Sequence, residues 1–195
     1  LDIHPPLYFW LLHGWAQVNG LTMGMEPAQM AFVTRLLSVM AAVVSVALLY
    51  QLAWRSSPTN FTRWAGVVAA MLGAFSPFWL AESQETRMYT VGFALLLGAA
   101  VALLVAWRRV AEGDSSFLTG MSWKEQAQTP RDDKGARTSL IWFVLLSTLA
   151  LLTHYNAVFI VAAWYAGWFV WALIQPQRRQ LLMAMFVCGF VTALL

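Results

Sequence analysis

Apolar runs about as long as a bilayer is thick recur along most of this chain, and that pattern narrows the possible folds more than anything else in the sequence. A hydrocarbon core of about 30 Å takes about 20 helical residues to cross. Runs of this kind cover residues 29–54, 61–80, 88–107, 139–153, 157–174 and 181–195. A soluble core would not repeat in this way, and the composition agrees. Only 11% of the 195 residues are charged and 60% are hydrophobic, whereas soluble domains carry about 25% charge. The expected fold is an all-α integral membrane protein, a polytopic helix bundle of about six spans forming one domain over residues 1–195. The stretch 6–18 is too short to span. Leu7, Leu11, Gly14, Trp15 and Val18 share one helical face and Trp10, His13 and Gln17 another, as expected of a helix lying in the membrane interface. The sequence opens at Leu1 without a Met and stops at Leu195 within an apolar run, so the expectation is a piece of a longer chain.

The charges orient the bundle. Placing the turns at 55–63, 108–138 and 175–180 on one side gathers Arg55, Arg63, Arg108, Arg109, Lys124, Arg131, Lys134, Arg137, Arg178 and Arg179, which is 10 of the 12 Lys and Arg residues. An excess of this kind marks the cytoplasmic side. Residues 108–138 are then a cytoplasmic loop, and the segments 2–27, 82–87 and 154–156 face the other way. The same distribution explains the net charge of +3 without nucleic acid, which is excluded as a partner; the partner is the lipid bilayer. Cys188 is the only cysteine, so a disulfide framework and a thiolate metal cluster are both excluded.

Chemistry-bearing residues concentrate on the non-cytoplasmic side. Asp2 and His4 precede Pro5-Pro6, whose fixed backbone would hold them at the lip of the interfacial helix. In Ser83-Gln84-Glu85-Thr86-Arg87-Met88-Tyr89, Ser83 is expected to cap the third span. That puts Glu85 and Arg87 in its first turn, with Tyr89 four residues beyond Glu85. A planar guanidinium suits a phosphate, and a carboxylate can take a proton or orient a hydroxyl. The plainer alternative is that Glu85 complements the helix dipole and Arg87 snorkels. Thr153-His154-Tyr155-Asn156 turns between two spans, and Ser76-Pro77 offers a cap and a helix start near the end of the second span. Arg35 lies inside the first span, where a lone charge is costly; a salt bridge to Glu26 or Glu82 would satisfy it and leave Glu82 no larger task. No phosphate-binding loop, Gly-x-Ser-x-Gly elbow or His-Glu-x-x-His helix occurs.

Together, Asp2-x-His4-Pro5-Pro6-Leu7-Tyr8, Thr34-Arg35-Leu36, Ser76-Pro77-Phe78 and the Ser83–Tyr89 segment resemble the GT-C membrane glycosyltransferases of the glycosyltransferase family 39 type, the protein O-mannosyltransferase-like and aminoarabinose-transferase-like enzymes. The resemblance runs from Leu1 to about Ile174. It implies an inverting transferase that takes a sugar from a polyprenyl-phosphate donor and passes it to a lipid, protein or glycan acceptor outside the cytoplasm, in a bacterial inner membrane. Glu85 and Asp2 are the catalytic candidates, with His4, Arg87, Tyr89, His154 and Arg35 as substrate contacts. No cofactor is implied, and a divalent metal is left open. Relatives carry their first acidic motif ahead of the Pro-Pro segment, before this sequence begins, so the chain alone is expected to be inactive. The rival class is a transporter or flippase for an amphipathic lipid, in which Arg35, Glu85 and Arg87 would line a pathway.

Overall fold

The computed structural model describes residues 5–22, 24–56, 62–111, 133–175 and 178–195. Among these, the regular structure is entirely helical: α1 (Leu7–Val18), α2 (Pro27–Ser56), α3 (Thr62–Ala74), α4 (Pro77–Ser83), α5 (Tyr89–Ala111), α6 (Asp133–Leu151), α7 (Ala157–Ile174) and α8 (Arg178–Leu194). Three helices are long and apolar enough to cross a membrane, Pro27–Ser56, Tyr89–Arg109 and Ala157–Ile174. A fourth crossing is added if α3 and α4, bent by 60° at the break between them, count as one. The apolar helix Gly135–Leu151 and the 17-residue α8 reach only about 25 Å at 1.5 Å per residue.

Bundle surfaces agree with a lipid surround. Phe32, Phe159 and Ile174 are 69%, 74% and 75% exposed, which would be an association hazard in water. Phe143, Trp168 and Leu181 are buried where α6, α7 and α8 meet. Ser38, Ala42 and Ser45 form the buried stripe of α2, small residues of the kind that let helix backbones approach closely. Gly66 serves the α2–α3 contact in the same way, since a Cβ there would sit 3.1 Å from the Tyr50 carbonyl oxygen.

Helix ends follow local chemistry. Residues 61–80 do not form one straight span. The chain breaks at Phe75–Ser76, where the Ser76 hydroxyl accepts from the Trp79 N–H at 3.3 Å and Pro77 starts α4. Pro removes a donor and fixes φ, which suits a first helical position and not an interior one. Ser76→Ala is expected to cost about 1 kcal/mol, the usual value of a lost N-cap, read as a lower midpoint in reversible denaturant unfolding in micelles. α1 ends in a Schellman turn: Leu21 N–H reaches the Ala16 carbonyl at 2.9 Å, Gly20 N–H reaches Gln17 at 3.0 Å, and Gly20 takes φ 65°. The loop expected over 108–138 is helical at both ends, through Ala111 and from Asp133. Periodic apolarity is needed only where a helix meets lipid or core, so polar turns that continue a span escape such a reading. On α1 the buried side is centred on Tyr8, Leu12 and Trp15, with Leu11 and Val18 exposed; Tyr8 packs with Met88 and Val91, a neighbour that periodicity alone does not reveal.

Contacts along the helices fix their directions. Arg109 lies against Gly135, Gly98 lies near Leu146 and Leu48, Gly92 lies near Thr153, and Ala41 packs with Met88 and Val91, so α6 runs antiparallel to α5 and α2 runs parallel to it. Trp107 and Trp171 stack at 5.4 Å, which brings the C-terminal ends of α5 and α7 together. Arg55, Arg108, Arg109, Arg137, Arg178 and Arg179 therefore collect at one end of the bundle. The start of α1, the Gln84–Met88 turn and the turn after α6 collect at the opposite end.

Candidate functional site

That second end is tied together by backbone and side-chain contacts. Leu7 N–H donates to the Leu152 carbonyl at 3.1 Å, so the chain enters α1 beside the turn that carries His154. Trp15 Nε1 donates to the Val33 carbonyl at 2.8 Å, and the Thr86 hydroxyl meets Thr34 at 3.4 Å. Tyr8 is buried between α1 and α2, where burial pushes its phenol pKa above the ordinary value and the Ser38 side chain opposes the shift.

The Ser83–Tyr89 segment differs from its expected form. Ser83 is the last residue of α4, its hydroxyl donating to the Leu80 carbonyl at 2.8 Å, and it caps nothing downstream. Starting a helix at Pro77 uses up the residues through Ser83, so Glu85 and Arg87 fall in the turn before α5 and Tyr89 becomes the first residue of α5. The two charges find each other there, with Arg87 Nε 2.7 Å from Glu85 Oε2 and both side chains more than half exposed. An exposed pair of this kind is worth roughly 0–1 kcal/mol, little enough for an incoming anion to displace it.

His154 is held by its own turn. Its Nδ1 accepts the Asn156 N–H at 3.0 Å, which in the neutral ring leaves the proton on Nε2. Below it, Thr153 is buried and donates to the Leu149 carbonyl at 2.7 Å. The His154 and Tyr89 rings lie 5.4 Å apart at 49°, joining the turn after α6 to the start of α5.

Between these elements lies a cavity of about 380 Å³ lined by Trp79, Glu82, Arg87, Tyr89, His154 and Asn156, with Phe78 and Phe93 completing its aromatic wall. The volume suits a small ligand. Three of the expected contacts, Arg87, Tyr89 and His154, thus meet in one place. Glu85 does not line the cavity; it reaches it only through Arg87. Arg35 stays on the exposed face of α2, and among the described residues no ion pair joins it to Glu26 or Glu82. Asp2 and His4 lie outside the described residues.

Glu82, given no task from the sequence beyond a salt bridge to Arg35, lines the cavity. Its Oε2 is buried without a hydrogen-bond partner, and so is Trp79 Nε1. The available signal was the i,i+3 spacing of Trp79 and Glu82, which puts both on one face once α4 is recognised as a helix. A larger cavity, about 580 Å³, opens between α6 and α8 towards the arginine-rich end. No carboxylate or imidazole is among its lining residues. No group of three or more potential metal ligands occurs among the described residues. No protein family, curated protein or solved structure matches this chain.

Proposed function

We propose that this chain belongs to a membrane glycosyltransferase that moves a sugar from a polyprenyl-phosphate donor to an acceptor at the non-cytoplasmic face of a bacterial inner membrane. The observation that carries this reading is the cavity that gathers Arg87, Tyr89, His154 and a carboxylate at the end of the bundle opposite its arginine cluster. In the proposed topology all six apolar runs cross, with α3 and α4 as one bent span and α6 and α8 extended by their polar ends. The positive-inside bias then puts the cavity outside the cytoplasm.

A lipid-linked phosphosugar presents its headgroup at this depth. Arg87 meets the phosphate, and its guanidinium stabilises the charge that grows as the polyprenyl phosphate leaves. Glu85 is released from Arg87 as the phosphate arrives, and its carboxylate takes the acceptor proton while the acceptor oxygen attacks the anomeric carbon. Nε2–H of His154 donates to a phosphate or sugar oxygen, and Tyr89 offers a ring face to the sugar. Asp2 and His4 lie outside the described residues, and Arg35, on the exposed face of α2, does not line this cavity.

Transfer of radiolabelled sugar from polyprenyl-phosphate donors, by membranes carrying the full-length protein, tests this reading. Glu85→Gln is expected to lower kcat by about 100-fold or more, the lower range for a general base, with KM little changed. Retained turnover would remove Glu85 from that role. One observation favours a second reading, a transporter for an amphipathic lipid: the 60° break between α3 and α4 is the kind of discontinuous helix that transporters use. Lipid flux across vesicles without any sugar transfer would support it.

A further inference from the structure

The larger cavity, between α6 and α8, is built for something that the chemistry at the opposite end does not use. Both helices begin at the arginine-rich end of the bundle, so their facing sides run together from that end. On α6 the lining passes from Arg137 to Ile141 and Leu145, and on α8 from Arg179 to Met183, Val187 and Val191. Steps of four residues keep each arginine in line with the apolar side chains that follow it. Leu140, Val144 and Cys188 make a buried floor, while Met183 and Val187 stand exposed along the wall. The result is a groove of about 580 Å³ that is apolar along its length and basic at one end. Its walls, Arg137 to Leu145 and Arg179 to Val191, run about 12 and about 18 Å at 1.5 Å per residue. Those lengths bracket the depth of one leaflet, about 15 Å, or half of a hydrocarbon core of about 30 Å.

We infer that this groove holds one anionic phospholipid of the bilayer, with an acyl chain lying between α6 and α8 and its phosphate on Arg137, Arg179 and the Gln180 amide. Charge selects the headgroup. The guanidinium fork matches phosphate oxygens, and the Gln180 amide supplies further donors. No carboxylate lines the groove to compete. The first turn of α8 carries no acidic residue, so the positive end of its dipole adds to Arg179 instead of being offset. A zwitterionic phospholipid also brings a phosphate, but its ammonium is repelled by the same two cations. A soluble anion would leave the apolar length of the groove uncovered. Basic pockets between membrane helices are known to take anionic headgroups in this way. The site needs the arginine-rich end to lie in a headgroup layer, and it is independent of any sugar transfer at the other end. The lipid is a bound partner there, not a substrate.

Two lipids with the same acyl chains and different headgroups test it. The full-length protein in detergent micelles is titrated, by native mass spectrometry, with dioleoyl phosphatidylglycerol and dioleoyl phosphatidylethanolamine. One phosphatidylglycerol is expected to bind about tenfold or more tighter than phosphatidylethanolamine, the scale set by two arginines at an anionic surface. Arg179→Gln is expected to weaken phosphatidylglycerol binding about fivefold, the share of one arginine. Arg178→Gln makes the same charge change one residue away, outside the groove lining, and is expected to leave the affinity unchanged. Ala184→Phe fills the groove without changing its charge and is expected to weaken both lipids. Gel filtration checks that each variant keeps its fold. Equal affinity for the two lipids overturns the site. So does an equal loss in Arg178→Gln and Arg179→Gln, which would reduce the effect to net charge, and so does undiminished binding by a folded Ala184→Phe. Binding of neither lipid would mean that another part of the protein or a second copy fills the groove, and it overturns the site as well. If Ala184→Phe does not fold, the contrast between the two arginine variants decides.

Discussion

Arg87→Ala is expected to lower sugar transfer by about 100-fold or more, the scale on which a preorganised donor to a developing anion acts. In the structure Arg87 Nε is engaged by Glu85 at 2.7 Å, and its side chain lines the cavity that also holds His154 and Glu82. Removing the guanidinium does two things at once. It takes away the cation that meets the donor phosphate, and it leaves Glu85 without its partner beside an anionic substrate. Both effects act on kcat as well as on KM. Arg87→Lys keeps the charge but loses the planar fork, so it should recover only part of the loss. Initial-rate measurements across donor concentrations in reconstituted vesicles check this, with insertion monitored independently. Turnover at the wild-type level in Arg87→Ala would detach the phosphate from this residue. Because the ion pair is exposed, stability should change little, by roughly 0–1 kcal/mol.

Phe143→Ala should do the reverse, damaging the fold and sparing the chemistry. Phe143 is fully buried in the second half of the bundle, with its ring centroid 6.1 Å from Trp164, 5.7 Å from Tyr165 and 6.2 Å from Trp168. Truncation leaves a void among three aromatic rings that α6 and α7 cannot collapse into without moving the helices. Large-to-small core changes of this type cost about 3–5 kcal/mol. In lipid the transfer part of that cost shrinks, because acyl chains are as apolar as the core, while the lost dispersion contacts remain. The expected loss is therefore about 3 kcal/mol, the lower end of that range, read as a reduced unfolding midpoint in mixed micelles. Phe143 does not line the cavity, so transfer per folded molecule should hold. A loss of activity out of proportion to the folded fraction would show that the α6–α7 packing sets the cavity's shape.

The two variants also separate what each half of the structure contributes. The cavity is made by α4, the first turns of α5, the turn between α6 and α7 and the start of α7, whereas the core around Phe143 joins the later part of α5 to α6, α7 and α8. His154 bridges them, sitting at the end of α6 and pairing its ring with Tyr89 of α5. Damage to the core can reach the cavity through that turn and through α5 and α7, which contribute to both.

Much of the helical layout was legible from residue order alone. The run at 157–174 became α7 with the same bounds, and α1 and α2 lie within two residues of their expected limits, because apolar length and flanking Pro, Gly and Arg are local signals. The broken second span was half legible: Ser76-Pro77 announced a helix start, but a 60° bend depends on how α3 and α4 lie against α2. The consequence for the site was larger. Once α4 exists as a separate helix, Ser83 ends it, Glu85 and Arg87 move into a turn, and Glu82 turns towards the cavity.

By itself, the sequence determined that the chain is helical and largely apolar, that most of its arginines gather at one end, and that most of its other polar turns lie at the other. Those properties follow from period, run length and charge distribution, each read within a few neighbouring residues. Only the tertiary structure decided which polar residues meet. Arg87, Tyr89 and His154 come together because α5 and α6 pack antiparallel, while Arg35 is left on the outer face of α2 and Glu82 is left with an unpaired buried oxygen. The physical reason is that pairing between distant segments depends on helix direction, rotation and bend, and a rotation of 100° per residue turns an error of one or two residues in a helix start into a different face.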